Sequence, residues 1–286
     1  MRLRASIALL LLAIVLALPA SADARGRAGI AALQVTLRAH GLYGATIDGI
    51  KGPRTTAAVR RFQRRAGLAA DGIAGPRTRA ALGRFARHRF GHRLMREGMA
   101  GWDVAALQFL LAWKGFPSGE LDGVLGPRTG LALRRFQRWR RLTRDGIAGP
   151  ATLAALRSPP PRSPLAFSRP IGAPIGDRFG PRGNRFHTGI DFAAPYGATI
   201  RAARSGRVAF AGWDAGGYGY LIAVRHGGGV RTRYAHLSRF YVSVGRRVRP
   251  GTPLGAVGAT GRATGPHLHF EVRVRGAAVD PLPALR

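Results

Sequence analysis

Asp71-Gly72-Ile73-Ala74-Gly75-Pro76 recurs without a change as Asp145-Gly146-Ile147-Ala148-Gly149-Pro150. The match extends in both directions without a gap. Leu33-Gln34 meets Leu107-Gln108, an offset of 107 − 33 = 74 residues, and Gly41 meets Gly115. Asp48-Gly49 meets Asp122-Gly123, Gly52-Pro53-Arg54-Thr55 meets Gly126-Pro127-Arg128-Thr129, and Phe62-Gln63 meets Phe136-Gln137. So long a match marks a duplicated module, and two copies are too few for a solenoid. Each copy reads as three helices. Ile30, Leu33 and Leu37 fall at helical spacing, as do Val59, Phe62 and Ala66, then Thr78, Ala81, Leu82 and Phe85. The Asp-Gly pairs supply turns, because glycine accepts a positive φ. Pro53, Pro76, Pro127 and Pro150 each follow a glycine and open a helix at the position where a missing N–H costs nothing. The Asp-Gly loops lack the alternating carboxylates of an EF-hand, which excludes a calcium loop.

Outward from the repeats, the chain begins with Met1-Arg2-Leu3-Arg4, an apolar run from Ala5 to Leu18, Pro19 and the small residues Ala20-Ser21-Ala22. That order is a secretory signal peptide over residues 1–22, cut after Ala22. The run is shorter than the roughly 20 apolar residues that span a bilayer, so no membrane attachment is expected after cleavage. The 286 residues contain no cysteine, which excludes disulfides, thiolate metal sites and a lipid on an N-terminal cysteine. The formal net charge is +33, nearly all arginine. Such a charge suits polyanions. Anionic wall polymers and GC-rich codon usage weigh equally in accounting for it. Nucleic acid is not expected, because neither a zinc finger nor an aromatic single-strand platform is present. The segment from Arg84 to Gly101 is basic and covers the junction between the repeats. Pro159-Pro160-Pro161, Pro164 and Pro170 mark a stiff spacer.

After Ile171 short β-branched and aromatic runs alternate with glycine turns. Strands are predicted over Thr199–Arg204, Gly206–Ala211, Tyr220–His226, Val230–His236, Pro253–Val257 and His267–Val274. They imply an antiparallel fold, an open β-sandwich or half-barrel. Half of the eight histidines fall here in one pattern: His187-Thr188-Gly189-Ile190-Asp191, Tyr234-Ala235-His236-Leu237 and Gly265-Pro266-His267-Leu268-His269. Residues two apart on a strand share a face, so His267, His269 and Glu271 project together. His187, Asp191 and one histidine of the His267/His269 pair make three ligands, and a water completes a catalytic zinc site.

Two resemblances follow from these residues. The repeats, about Ala31 to Leu82 and Ala105 to Leu156, resemble the type 1 peptidoglycan-binding domain. That resemblance implies noncovalent attachment to the bacterial wall. The segment from about Gly176 to Pro281 resembles the M23 metallopeptidases, the lysostaphin-like and LytM-like wall endopeptidases. That resemblance implies zinc held by His187, Asp191 and His269, with His236 and His267 acting on the water and the developing oxyanion. Nothing expected of an active member is missing. Tyr218 looks similar in position to a tyrosine donor sometimes used in the family, and a strand-edge tyrosine packing on glycine is an equal reading. Glu271 reads as a surface ion pair with an arginine, ahead of a role orienting a ligand histidine.

The expected architecture is multidomain α plus β. It comprises a signal peptide (1–22), binding modules at 25–90 and 98–157, a Pro-rich linker (158–170) and a mainly antiparallel β metallopeptidase domain (171–286). The implied function is a secreted zinc metalloendopeptidase that hydrolyses peptide crosslinks of peptidoglycan in the cell wall or periplasm. The alternative is a noncatalytic wall-binding protein or an activator of other hydrolases. A D-Ala-D-Ala carboxypeptidase resembles a pattern with a longer His-to-Asp spacing, which the four-residue step here disfavours.

Overall fold

A computed structural model describes residues 20–286. The expected leader lies outside them except for Ala20, Ser21 and Ala22. Six α-helices make up the N-terminal part: α1 (Ala20–Ala39), α2 (Pro53–Arg65), α3 (Pro76–Ala81), α4 (Trp102–Trp113), α5 (Pro127–Trp139) and α6 (Pro150–Leu156). Helices α2, α3, α5 and α6 start on proline, each preceded by an extended glycine. Helix α3 is shorter than its apolar spacing suggests. It stops at Ala81, and Phe85 sits in a 3-10 turn, Gly83–Ala86, because Gly83 takes φ +74.

The two repeats share one core. Helices α1 and α4 pack on each other, and the buried cluster runs from Ala28 to Leu156 and includes Ala277 of the β half. Each repeat is organised around two buried glutamines. Gln34 lies within hydrogen-bond distance of Asp48 Oδ1 (2.8 Å), the Ile50 carbonyl (3.1 Å) and Thr55 Oγ1 (3.0 Å), and it accepts from the Gly49 N–H (2.9 Å). Gln63 does the same with Asp71, Ile73, Thr78 and Gly72. Gln108 and Gln137 repeat the pattern on Asp122-Gly123 and Asp145-Gly146. The four turn glycines sit at φ +71 to +78. The structural unit is therefore a glutamine that stitches an Asp-Gly turn to the first turn of the following helix, used four times. Burial of the amide is tolerated because both its ends are satisfied.

The C-terminal part is antiparallel. β1 (Gly180–Arg182) and β2 (Arg185–His187) form a hairpin. A second, branched sheet has nine strands: β3 (Ile190–Phe192), β4 (Thr199–Arg201), β5 (Gly206–Asp214), β6 (Gly219–Arg225), β7 (Val230–Phe240), β8 (Arg247–Val248), β9 (Pro253–Val257), β10 (Leu268–Val274) and β11 (Ala277–Val279). Its path runs β11-β10-β7-β6-β5-β8, with β3 added to β10, β9 to β7 and β4 to β9. Tyr234, Phe192, Phe270 and Ile222 fill the core beneath it.

The proline-rich stretch is anchored at both ends. The buried ammonium of Lys114 bonds to the Ser158 carbonyl, and Phe167 exchanges backbone bonds with the C-terminal residues Ala284 and Arg286. The halves also touch directly. The Ile47 N–H donates to the Gly183 carbonyl, and the Leu121 N–H to the Asn184 carbonyl, both at 2.8 Å. Ile47 and Leu121 are equivalent in the two repeats (121 − 47 = 74), so both copies grip the two turn residues of the β1–β2 hairpin. Arg185 pairs with Glu120 at 3.0 Å, and Trp113 packs edge-on against Phe186. At Gly115 a Cβ would lie 2.1 Å from the Ala278 carbonyl oxygen, so α4's end approaches β11 only as glycine. Among the described residues no helix is long and apolar enough to cross a membrane.

Candidate metal centre

The site forms where the hairpin meets the sheet. His187 ends β2, Asp191 is the middle residue of β3, and His269 lies opposite Asp191 in the β3–β10 register. Gly189 allows this. A Cβ there would lie 2.3 Å from the Phe270 carbonyl oxygen, so a larger residue would push β3 off β10.

His187 Nε2, His269 Nδ1 and Asp191 Oδ1 converge. The separations are 2.9 Å between the two nitrogens, 3.0 Å from His187 to Asp191 and 2.8 Å from His269 to Asp191. The opposite ring nitrogens are already engaged. His187 Nδ1 lies 2.9 Å from the Arg178 carbonyl oxygen, and His269 Nε2 lies 3.2 Å from Glu271 Oε1. A carbonyl and a carboxylate only accept, so these nitrogens carry the protons. Three lone pairs then face one another in a buried pocket with no donor between them. A divalent cation with tetrahedral N/O preference resolves that conflict, and zinc fits the donor set. Protonation offers a partial substitute. Burial opposes a charge on His269, but Asp191 and Glu271 on either side hold its pKa above the ordinary histidine value. Burial also opposes charge on Asp191, yet bonds to His187 and His269 hold its pKa well below the usual range. Both shifts express one demand for positive charge at the centre. Asp191 Oδ2 meets Arg182 Nη1 at 3.1 Å, a contact the sequence reading missed.

The other two histidines stand beside this centre. His267 Nε2 is 3.8 Å from Asp191 Oδ1, and its Nδ1 is 2.9 Å from the Gly265 carbonyl. The His236 ring lies 4.7 Å from that of His267 and 5.8 Å from that of His269. Its Nδ1 bonds to the Thr260 carbonyl at 2.7 Å, which leaves a lone pair on Nε2. Burial pushes its pKa down to about 4, so it is neutral at physiological pH. His236 has φ +63, a strained value for a non-glycine residue, and its N–H donates to the Tyr218 carbonyl. All five residues picked from the sequence therefore gather in one place.

Glu271 is not at the surface. It is 0% exposed, because strand alternation places it on the same inner face as His269. Its carboxylate takes Arg273 Nε at 2.7 Å, the Tyr218 hydroxyl at 2.7 Å and the Thr188 hydroxyl, besides His269. Burial would raise its pKa, but Arg273 and His269 hold it well below the usual carboxylate range. The arginine partner was legible in the sequence, whereas the burial was not. The Tyr218 hydroxyl is bound to Glu271 and Arg273, so in this structure its proton is engaged there. His226, which matched no ligand pattern, is a core residue bonded to the Ser205 carbonyl and Thr232.

The model of peptidase family M23 matches residues 185–281. The C-terminal domain belongs to peptidase family M23. The peptidoglycan binding domain family matches residues 26–82 and 101–156. The DD-carboxypeptidase/endopeptidase Mpg of Neisseria meningitidis is 49% identical over 121 residues, which cover 42% of this chain and 27% of that protein. The murein hydrolase activator EnvC of Escherichia coli is 38% identical over 128 residues, covering 40% of this chain and 30% of that protein. The chain thus spans less than a third of the length of these relatives. Among solved structures, the catalytic domain of the antimicrobial peptidase lysostaphin from Staphylococcus simulans is 36% identical. That match covers 39% of this chain and 90% of that one, at a TM-score of 0.37. The resemblance of the M23 domain and of both repeats, read from motifs, is met by these matches.

Proposed function

We propose that the chain is a secreted zinc metalloendopeptidase that hydrolyses peptide crosslinks of bacterial peptidoglycan, held at the wall by its two repeats. The carrying observation is the set of three facing lone pairs from His187, Asp191 and His269, each histidine fixed by an acceptor on its far side. Membership of the M23 family and similarity to a DD-carboxypeptidase/endopeptidase support the hydrolytic reading.

In this reading His187, Asp191 and His269 hold zinc, which supplies Lewis acidity to a water and to the scissile carbonyl. His236 keeps a neutral imidazole with Nε2 free, suited to accept a proton from the attacking water. His267 fixes its own Nδ1 on Gly265 and stands over Asp191, so its Nε2 serves the developing oxyanion or the leaving amine. Glu271 locks the His269 tautomer, and Arg273 neutralises the carboxylate that does so. With its N-terminal leader removed the protein acts in the wall or periplasm, and its positive charge favours anionic wall polymers.

The similarity to EnvC motivates the second reading, a hydrolase activator without its own chemistry. The complete His-Asp-His set favours the enzyme. The test is zinc content by mass spectrometry together with muropeptide release from purified sacculi. Equimolar zinc and new peptide ends are expected. A zinc-free protein that releases nothing, yet stimulates another hydrolase, overturns the proposal in favour of the activator.

A further inference from the structure

A segment of the chain lies across the second repeat. Residues 94–100 cross its Asp-Gly turns and bend on the way, where the Met99 N–H donates to the Arg96 carbonyl and Gly98 takes φ +89. Met95 exchanges backbone bonds with Ala148, the Gly98 N–H donates to the Leu125 carbonyl, and the Leu125 N–H donates to the Met99 carbonyl. Bridges form at Met95–Ala148 and Ala100–Val124, and Met95 is 0% exposed. This segment closes the groove between the two turns.

The first repeat has the same groove and no such segment over it. Subtracting 74 turns Leu125 into Lys51, Val124 into Ile50, Ile147 into Ile73 and Ala148 into Ala74. The segment that would cross them begins at residue 94 − 74 = 20, and there the chain is already helical, as the start of α1. The groove stands open as a cavity of about 1030 Å³. Ile73, which lines it, is 56% exposed. Among the described residues no backbone bond reaches Lys51 or the Ala74 N–H.

The lining differs from the second repeat in charge. Lys51 stands where the second repeat has Leu125, and Arg79 where it has Leu153 (153 − 74 = 79). Arg87, Arg89 and Arg157 line the same cavity, and the buried Nε of Arg157 has no hydrogen-bond partner. Trp102 forms an apolar wall with Arg79 stacked on it at 5.5 Å.

We propose that the first repeat's cavity binds a peptide bearing carboxylates, seated as residues 94–100 are seated on the second repeat. The Ala74 and Lys51 backbones supply the pairing that Ala148 and Leu125 supply there, an apolar side chain takes the place of Met95, and the arginines meet the carboxylates. The helical half then has one peptide site although it has two repeats. This deepens the wall-binding reading above, on which it rests for the source of the peptide.

Titration calorimetry of the chain from Asp23 onward with an uncrosslinked, soluble peptidoglycan stem peptide tests it. Binding at a site that depends on Lys51 and Arg79 is expected. The double variant Lys51→Leu/Arg79→Leu should lose at least tenfold in affinity. It carries the residues with which the second repeat already folds, and an unchanged thermal midpoint checks that it folds. An unaltered affinity in the variant, or equal competition by peptide-free glycan strands or polyphosphate, would overturn the proposal. Cleavage of sacculi by the same preparations separates the readings. Peptide binding without cleavage refutes only the hydrolase, and cleavage without peptide binding refutes only the groove.

Discussion

The helical half and the β half both bury polar side chains, and they treat them in opposite ways. Gln34, Gln63, Gln108 and Gln137 have donors and acceptors on both ends of the amide, all supplied by the turns they stitch. His187, Asp191 and His269 are as deeply buried, but their inward atoms offer lone pairs only to one another. A saturated buried polar group is a folding device. One left short of a positive charge is a binding device, because only a ligand completes it.

The largest effect should come from emptying the unsaturated set. Asp191→Ala or His187→Ala is expected to abolish zinc retention, read by metal analysis after dialysis, while far-UV circular dichroism stays unchanged. Zinc kept by either variant would end the contrast. The converse change, Gln137→Leu, orphans the buried Gly146 N–H. It should cost about 1–3 kcal/mol in urea unfolding, the penalty for one unsatisfied buried group, and leave zinc stoichiometry intact. Glu271→Gln tests the boundary between the two kinds. It keeps the shape but gives His269 a weaker acceptor, and a zinc affinity lower by about 10–100-fold is expected by competition with a chelator. An unchanged affinity would reduce Glu271 to a partner of Arg273.

The smallest effect concerns Lys114, which is buried and has the Ser158 carbonyl as its hydrogen-bond partner. Burial brings its pKa down from 10.5 to about 8. Between those values the unfolded chain holds the proton more tightly, so stability rises with pH across that window and the penalty is complete below it. The thermal midpoint of the wild type should gain on that of Lys114→Met from pH 8 to 10 by a few degrees, and parallel curves would remove Lys114 from the saturated-or-short scheme.

Much of this was readable beforehand because period and punctuation carry it. The repeat offset, the prolines at helix starts and the strand at Pro253–Val257 are written in local sequence. That His187, Asp191, His236, His267 and His269 gather in one place was legible in their motifs and in the resemblance those motifs carry. The glutamine stitches were not, since a glutamine beside a core leucine looks like a solvated neighbour, and only the fold brings Asp48 to Gln34. Residues 94–100 have neither helical nor strand period, so a buried Met95 in a basic segment left no trace. Glu271 was misjudged because an abundance of arginine makes every carboxylate look like half of a surface pair.

The β1–β2 hairpin ends on the first candidate ligand, and its tip is held by the same residue of each repeat, Ile47 and Leu121. Under the proposed function, load on helices held at the wall would reach the strand that bears His187 partly through these two backbone bonds. The anchor and the blade would then share a hinge pin, and tension in the wall would have a mechanical route to the cutting edge.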